Sequence, residues 1–171
     1  MTTRRAPDDA TPGDRARASV LVKVPQADAF RIFTEDIDRW WRRGLRYRIG
    51  KGRGGVIHLE PRLGGRLFES VDSPGGVQLY ETGEVTVWEP PARLAFAWRA
   101  VNFAPGERTL VEVQFAPSAS GTLVTVTHSG WSRLRPDHPV RHGLEVAAFL
   151  RMMGLWWGDL LTTLREHTEA R

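Results

Sequence analysis

Residues 139–167 read PVRHGLEVAAFLRMMGLWWGDLLTTLREH and carry the pattern of a long amphipathic helix. Pro139 suits a first turn that Asp137 can cap, so we expect the helix to begin there. At about 1.5 Å per residue, a helix over this stretch is roughly 40 Å long and can cross the concave face of a curved sheet. On a helical wheel its apolar side chains form one stripe, which consists of Val146, Leu150, Met153, Trp157, Leu160, Leu161 and Leu164.

Two features beside this stripe call for an explanation. Gly154 and Gly158 lie one turn apart, although glycine in a helix costs about 1 kcal/mol relative to alanine. The pair therefore predicts the close approach of another backbone or of a ligand. Leu144 and Leu155 point away from the stripe, so they are either ordinary exposed leucines or part of a homodimer contact, and we favour the contact.

The segment before the helix has the pattern of six short strands joined by turn-forming residues. Proline and glycine clusters such as 73–76 and 89–92 separate them. Apolar side chains alternate with polar ones, as in Val111, Val113 and Phe115, which indicates one covered face and one solvated face. Because parallel pairing would need crossovers of about a dozen residues or more, we predict an antiparallel meander with strands near 56–60, 66–72, 77–88, 93–100, 108–116 and 122–129.

The N-terminal part of the chain begins with a polar stretch. Residues 1–16 contain almost no large apolar side chain, so we expect a flexible arm that precedes a single domain over residues 17–171. An alternating valine strand over residues 20–24 follows, and then two short helices. Residues 42–55 are basic and rich in glycine, and we expect them to form a mobile loop.

These pieces, taken in order, resemble the SRPBCC (START-like) superfamily. Within it the chain most resembles the branch of the activator of the heat-shock-chaperone ATPase, the Aha-type homologues, a branch that also includes polyketide cyclase-like proteins. The resemblance covers residues 18–167 and implies the helix-grip fold, an α+β architecture in which a curved antiparallel sheet of about seven strands wraps a long C-terminal helix. It leaves the function open, because one fold hosts many functions. The motifs that carry it are SVLVKVPQADAFRIFT (19–34), the Trp40–Trp41 pair, EPRLGGRLFE (60–69), GEVTVWEPPARLAFAW (83–98) and GTLVTVTHSGW (121–131).

A sheet that curls around a helix leaves a cavity wherever the two separate. The chain has seven tryptophans, and several belong to the inward-facing set. Aromatic walls with a polar group suit a flat or elongated apolar ligand, such as a lipid or an aromatic molecule. The alternative is that these rings simply fill the core. The residues expected around the cavity are Trp40, Trp41, Leu59, Phe68, Tyr80, Phe96, Trp98, Val113, Phe115, Val126, His128, Trp131, Phe149, Met153, Trp157 and Leu160.

No catalytic constellation stands out in the sequence. His128 ends an inward-facing row, and with Tyr80 it is a weak candidate for proton transfer. A buried histidine that is hydrogen-bonded to the backbone explains the same pattern. Glu60 and Glu69 flank a glycine turn and could face each other as paired acids, or could instead pair with arginines such as Arg66.

Metal and cofactor sites are not expected. The chain has no cysteine, and the helical i, i+4 spacing of His138 and His142 is interrupted by Pro139 and lacks accompanying carboxylates. There is no phosphate-binding loop, dinucleotide fingerprint or nucleophile elbow. We therefore predict neither a metal nor a bound cofactor.

Charge and hydropathy limit the partners. The formal net charge is +4, and residues 39–53 are dense in arginine and lysine. We interpret this stretch as a solvated basic face rather than a polyanion site, so a nucleic-acid partner is not expected. No segment approaches the roughly 18 apolar residues of a membrane span, and the N-terminus lacks the apolar core of a secretory signal. These features favour a cytoplasmic protein.

Three functions remain compatible with these patterns. The first is binding of a small hydrophobic or aromatic molecule between sheet and helix. The second is an enzyme of the cyclase or hydrolase kind that uses a pocket histidine, tyrosine or glutamate. The third is a partner-binding module like the chaperone-ATPase activator. The aromatic set and the lack of a catalytic constellation favour the first.

Overall fold

The structure, a computed structural model, describes residues 13–50 and 55–171. A strand and two short helices come first, six further strands follow, and a long helix ends the chain. The elements are β1 (Arg15–Val22), α1 (Gln26–Glu35), α2 (Ile37–Trp40), β2 (Val56–Leu59), β3 (Arg66–Ser73), β4 (Gly76–Glu89), β5 (Arg93–Trp98), β6 (Thr109–Ser118), β7 (Gly121–Ser129), two short 3-10 helices (Trp131–Arg133 and Pro139–Arg141) and α3 (Val146–Glu169).

The described strands form one seven-stranded antiparallel sheet in the order β1-β7-β6-β5-β4-β3-β2. Strands β2 to β7 are a meander in which each pairs with the next along the chain. The first strand joins its far end, where Val20 pairs with Val124. The predicted α+β helix-grip fold is confirmed, with a curved sheet that wraps a long C-terminal helix.

Helix α3 packs its apolar stripe against the inner face of the sheet. Trp157, Leu160, Leu161 and Leu164 are all buried there, in one cluster with side chains from α1, α2 and the strands. A Cβ atom added at Gly154 would lie 3.8 Å from the carbonyl oxygen of Arg17 in β1, so the helix does approach a neighbouring backbone at this glycine. Neither α3 nor another helix of the described residues combines the length and apolarity that are needed to cross a membrane.

The prediction that α3 begins at Pro139 was wrong. His142 and Gly143 both have positive φ angles, of 49° and 71°, which no α-helix accommodates. Arg141 explains the break, because its buried guanidinium turns inward to donate to the carbonyl oxygens of Trp131 and Leu134, at the first 3-10 helix. The helix therefore begins at Val146, whose side chain is exposed instead of lying in the stripe.

The expected arm over residues 1–16 falls largely on residues 1–12, which lie outside the described residues. Asp14 is buried, and its carboxylate accepts hydrogen bonds from the backbone N–H and the hydroxyl of Ser132. Strand β1 begins at Arg15, two residues before the expected domain boundary. Residues 13–16 are thus part of the folded structure.

Candidate functional site

A cleft of about 170 Å³ lies between the inner face of strands β2 to β5 and the segment 42–50. We call it the central cleft, and we call residues 42–50 the cover segment. Exposed Leu45 and Val101 also line it. Its volume is close to the roughly 150 Å³ of an engineered apolar cavity that binds benzene. The main apolar walls are Trp41, Tyr47, Ile57, Leu67, Trp98 and Trp156.

Three tryptophans and one tyrosine form an aromatic wall in the cleft. Trp41 and Trp98 are stacked, with centroids 6.4 Å apart and an interplanar angle of 18°. Trp156 meets the rings of Trp41 and Trp98 edge-on, at 5.9 and 6.2 Å, and stacks on Tyr47 at 5.8 Å. Offset and edge-to-face pairs of this kind are favourable beyond their buried area. The wall is therefore fixed by contacts among its own members.

The polar atoms of the same rings hold the cover segment in place. The indole Nε1 of Trp41 donates to the Tyr47 carbonyl oxygen at 3.0 Å, and that of Trp156 donates to the Arg46 carbonyl oxygen at 2.9 Å. The Tyr47 hydroxyl donates to Asp159 Oδ2 in α3 at 3.0 Å. The cover segment is consequently tied both to α3 and to Trp41, the residue that follows α2.

Arg48 anchors the cover segment from below. Its side chain is 1% exposed, and its guanidinium donates to the carbonyl oxygens of Arg42, Trp41 and Gly55 and to both the carbonyl and the carboxylate of Asp38. Burial raises the pKa of Asp38, but the N–H of Ile57 and the Arg48 guanidinium together outweigh it and leave this pKa below its usual value. The result is a buried ion pair in which every N–H group of Arg48 donates a hydrogen bond.

Glu69 supplies the carboxylate of the central cleft. It is 4% exposed, and its two oxygens accept the backbone N–H groups of Ile49 at 2.7 Å and Gly50 at 2.9 Å. Gly55 lies so close that an added Cβ would come 2.5 Å from Glu69 Oε1, and only glycine avoids this clash. Glu69 therefore positions the end of the cover segment while it lines the cleft.

His128 is not among the residues that line the central cleft, and both of its ring nitrogens have hydrogen-bond partners. It is fully buried, the Trp157 indole donates to its Nδ1 at 3.1 Å, and its Nε2 lies 2.7 Å from the Thr109 hydroxyl oxygen. Because an indole N–H can only donate, Nδ1 is the unprotonated nitrogen and Nε2 carries the hydrogen. Burial lowers the pKa of His128 to about 3, so the ring stays neutral. The partners that explain its burial are side chains, not the backbone.

The other suggested acid–base groups are also separated from each other. The Tyr80 hydroxyl donates to Gln78 on the exposed end of β4, away from the cleft lining. Glu60 accepts from the Arg66 guanidinium at 2.8 Å, and the hydrogen bonds from Arg66 lower the pKa of Glu60 to about 2. Of the two alternatives that the sequence left open, pairing with an arginine describes Glu60, whereas Glu69 bonds to backbone N–H groups and the two acids do not pair with each other.

The sixteen residues predicted around a cavity divide among several places. Trp41, Phe68 and Trp98 line the central cleft. Trp131 and Phe149 belong to a second cluster with Phe103 and Leu134, and His128 and Tyr80 lie as described above. The remaining nine pack in or against the main core, and they are Trp40, Leu59, Phe96, Val113, Phe115, Val126, Met153, Trp157 and Leu160.

Sequence reasoning missed most of the cleft lining, although parts of the signal were present. Glu69 was noticed, but only as half of a possible acid pair. The cover segment was noticed only as part of a basic loop, residues 42–55, that was expected to be mobile. The lining residues that were not predicted include Tyr47, Ile49, Ile57, Leu67, Glu69, Thr82, Ala100 and Trp156.

The two histidines that were considered for a metal flank the second 3-10 helix and do not lie on a turn of α-helix. His138 caps the second 3-10 helix, with its Nδ1 accepting from the N–H of Val140, and His142 is exposed at the other end of that helix. Within residues 13–50 and 55–171, no group of three or more histidine, cysteine, aspartate or glutamate side chains could hold a metal ion.

The basic stretch 39–53 is divided by local contacts. Arg48 is buried, Arg42 and Arg43 lie 3.7 Å from Asp159 and Asp38, and Arg46 lies over the Tyr47 ring. Lys51 and Arg53 are outside the described residues. The described part of this stretch mainly fastens the cover segment.

Comparison with protein-family models gives one match. The model described as "Activator of Hsp90 ATPase homolog 1-like protein" matches residues 23–152. This range extends from the end of β1 through the sheet into the first turns of α3. No curated protein matches the chain.

Solved structures share the architecture. A Rhodobacter sphaeroides protein has a TM-score of 0.63 at 18% identity, over 95% of this chain and 96% of its own. A Mesorhizobium loti protein has a TM-score of 0.60 at 18% identity, over 89% and 94%. DynU16, described as a protein of the dynemicin biosynthetic locus, has a TM-score of 0.55 at 18% identity, with 91% of this chain matching 47% of that one. Identities this low show the fold alone.

Proposed function

The chain belongs to the family of activator of Hsp90 ATPase homolog 1-like proteins, and from that premise we propose that it binds a small apolar or aromatic molecule in the central cleft. The observation that carries this proposal is the combination of a volume of about 170 Å³ with walls made largely of aromatic and aliphatic side chains. A concave apolar site with a few polar groups is the usual form of a small-molecule site.

The cleft is organised before any ligand arrives. The indoles of Trp41 and Trp156 are held by hydrogen bonds to the cover segment as well as by ring contacts. A wall that is already ordered loses little side-chain entropy on binding, which leaves more of the contact energy as affinity. A flat ring can then exchange water for contact with several aromatic faces and edges.

The volume favours a ligand of about one ring. The cavity that holds benzene measures about 150 Å³, and the central cleft is only slightly larger. A long acyl chain would have to leave the cleft past exposed Leu45 and Val101. We therefore favour a small aromatic molecule over a lipid.

The test is a titration with single-ring aromatic probes, followed by the indole N–H signals in two-dimensional NMR. Toluene should move the signals of Trp41 and Trp156, which line the cleft, and leave those of Trp88 and Trp131 in place. If no single-ring probe moves the first pair at millimolar concentration, the proposal fails.

A blocking variant locates the site. Ala100 lines the cleft, so Ala100→Phe should fill it and abolish the response of the Trp41 indole. Ala97→Phe is the matched control, because Ala97 lies on the opposite face of β5 beside a separate polar groove. Unchanged toluene binding in Ala100→Phe would contradict a site in the cleft.

The family description favours a second candidate, a module that binds a chaperone partner and stimulates its ATPase activity. The direct measurement is the ATPase rate of Hsp90 with and without this protein. A rate that stays unchanged at saturating protein would remove this candidate without affecting the first.

A further inference from the structure

One lining group of the central cleft retains unused hydrogen-bonding capacity. An ionised carboxylate has about four lone-pair sites, and among the described residues Glu69 uses them only for the backbone N–H groups of Ile49 and Gly50. The side chain is 4% exposed and lines the cleft together with the tryptophans. It is thus a buried acceptor in the lining of the cleft.

The buried cation of the cleft has no such capacity. A guanidinium has five N–H donors. Arg48 uses all five, because its Nε donates one hydrogen bond and its Nη1 and Nη2 donate two each. The Thr82 hydroxyl donates to the carbonyl oxygen of Leu67. Of the two buried charged side chains in the cleft, Glu69 therefore offers acceptors to a ligand and Arg48 offers no donor, while the remaining donors of the lining belong to half-buried Trp98 and exposed Arg46.

Burial makes the Glu69 carboxylate favour a ligand group that donates a hydrogen bond over one that is negatively charged. A carboxylate that is removed from water is stabilised by each hydrogen bond that replaces its hydration, so a ligand donor beside Glu69 is favoured and a second anion is disfavoured. The electron-rich faces of Trp41, Trp98 and Trp156 act in the same direction, because they attract positive charge.

We propose that Glu69 makes the central cleft selective for an aromatic ring that carries a hydrogen-bond donor, either a hydroxyl or an ammonium group. This inference rests on the proposed function, because it names the chemical class of the same ligand. The apolar walls hold the ring, and the carboxylate selects its substituent.

The test compares probes of matched shape. Toluene and phenol differ by a methyl and a hydroxyl group, and their dissociation constants are measured from the Trp41 and Trp156 indole signals. The ratio of the toluene constant to the phenol constant should fall about tenfold in Glu69→Gln, since hydrogen bonds to charged groups are about twice as strong as neutral ones. Glu60→Gln is the control, because this carboxylate pairs with Arg66 outside the cleft and the ratio should not change.

Further probes separate the remaining outcomes. If benzylammonium binds more tightly than phenol, the preferred donor is a cation, and if phenol binds more tightly, it is a hydroxyl. If benzoate binds most tightly of all the probes, the inference is overturned. If Glu69→Gln does not fold, phenol and anisole are compared on the unchanged protein, where equal affinities overturn it. If toluene and phenol both bind and Glu69→Gln leaves the ratio of their dissociation constants unchanged, this inference fails but the proposed function stands. If no ring binds, both fail.

Discussion

His128 connects three elements through hydrogen bonds that fix its state. Thr109 of β6 lies against one ring nitrogen and Trp157 of α3 donates to the other, while His128 itself belongs to β7. The hydrogen bond from Trp157 requires an unprotonated Nδ1, and therefore a neutral ring, and burial disfavours the charged ring. At the scale of one residue, the histidine that suggested catalysis is a tie between the sheet and the helix.

The charge state of His128 predicts an acid-sensitive stability. Its pKa is about 3 in the folded protein and about 6.5 when the ring is in water, so below pH 6.5 the unfolded chain takes up the proton first. The contribution is complete above pH 6.5 and is lost as the pH falls toward 3, with a slope of up to about 1.4 kcal/mol per pH unit. Denaturant unfolding between pH 7 and 5 should show this slope, and His128→Gln should remove it.

The matched control for this measurement is His142→Gln, because His142 is exposed. This variant should keep the pH dependence of the unchanged protein. If His128→Gln and the unchanged protein lose stability in parallel over the same range, then His128 is not the group that titrates.

Arg48 leads to a second prediction at this scale. Lysine has three donors on a single nitrogen and cannot reproduce the five bonds that Arg48 makes in its buried position. Arg48→Lys should therefore lower the free energy of unfolding by about 2–4 kcal/mol. Arg43→Lys is the control, since Arg43 is 63% exposed and lies 3.7 Å from Asp38, and it should change stability by less than about 0.5 kcal/mol. Equal effects of the two substitutions in urea unfolding would contradict this.

Helix α3 shows what a sequence pattern says about an element and what it omits. The stripe and the direction of its buried face were predicted because they depend only on helical periodicity. The start of the helix was not, because the bend at His142 and Gly143 depends on where the Arg141 side chain finds its carbonyl partners. The bounds of β2 to β7 were predicted within about two residues, since proline and glycine turns are local signals, whereas β1 begins at Arg15, five residues before the expected valine strand.

The two helical glycines provide the prediction at the scale of the element. A Cβ added at Gly158 meets nothing within 4 Å among the described residues, and one added at Gly154 meets only the Arg17 oxygen at 3.8 Å. Gly158→Ala should raise the free energy of unfolding by about 1 kcal/mol through helix propensity, and Gly154→Ala should also be tolerated. Gly83→Ala is the contrasting variant, because its Cβ would lie 2.8 Å from the Ala97 oxygen and should destabilise. A loss of stability in Gly158→Ala, measured by urea unfolding, would indicate that another group occupies that space.

At the scale of the whole molecule, the sequence indicated which side chains face inward but not where the interior stays open. Alternation assigns a residue to a face of the sheet, and most of the inward residues meet each other and fill the core. The cleft exists where the cover segment spans the gap between the sheet and α3, through contacts such as Trp156 to Arg46 and Tyr47 to Asp159. These partners are 110 and 112 positions apart in the chain, so no local pattern reports them.

The size of the opening gives a prediction for the stability of the whole molecule. A ligand that binds only the folded state at a concentration of 100 times its dissociation constant stabilises it by about 2.7 kcal/mol. For a domain of this size, 1 kcal/mol corresponds to about 2–4 °C, so a saturating single-ring ligand should raise the melting temperature by roughly 5–10 °C. A long-chain fatty acid should give a much smaller rise, because a cleft of about 170 Å³ encloses only one ring or a few carbons. Ala100→Phe should abolish the response to the ring, and a larger rise with the fatty acid than with the ring would mean that the cleft extends along α3 when it is occupied.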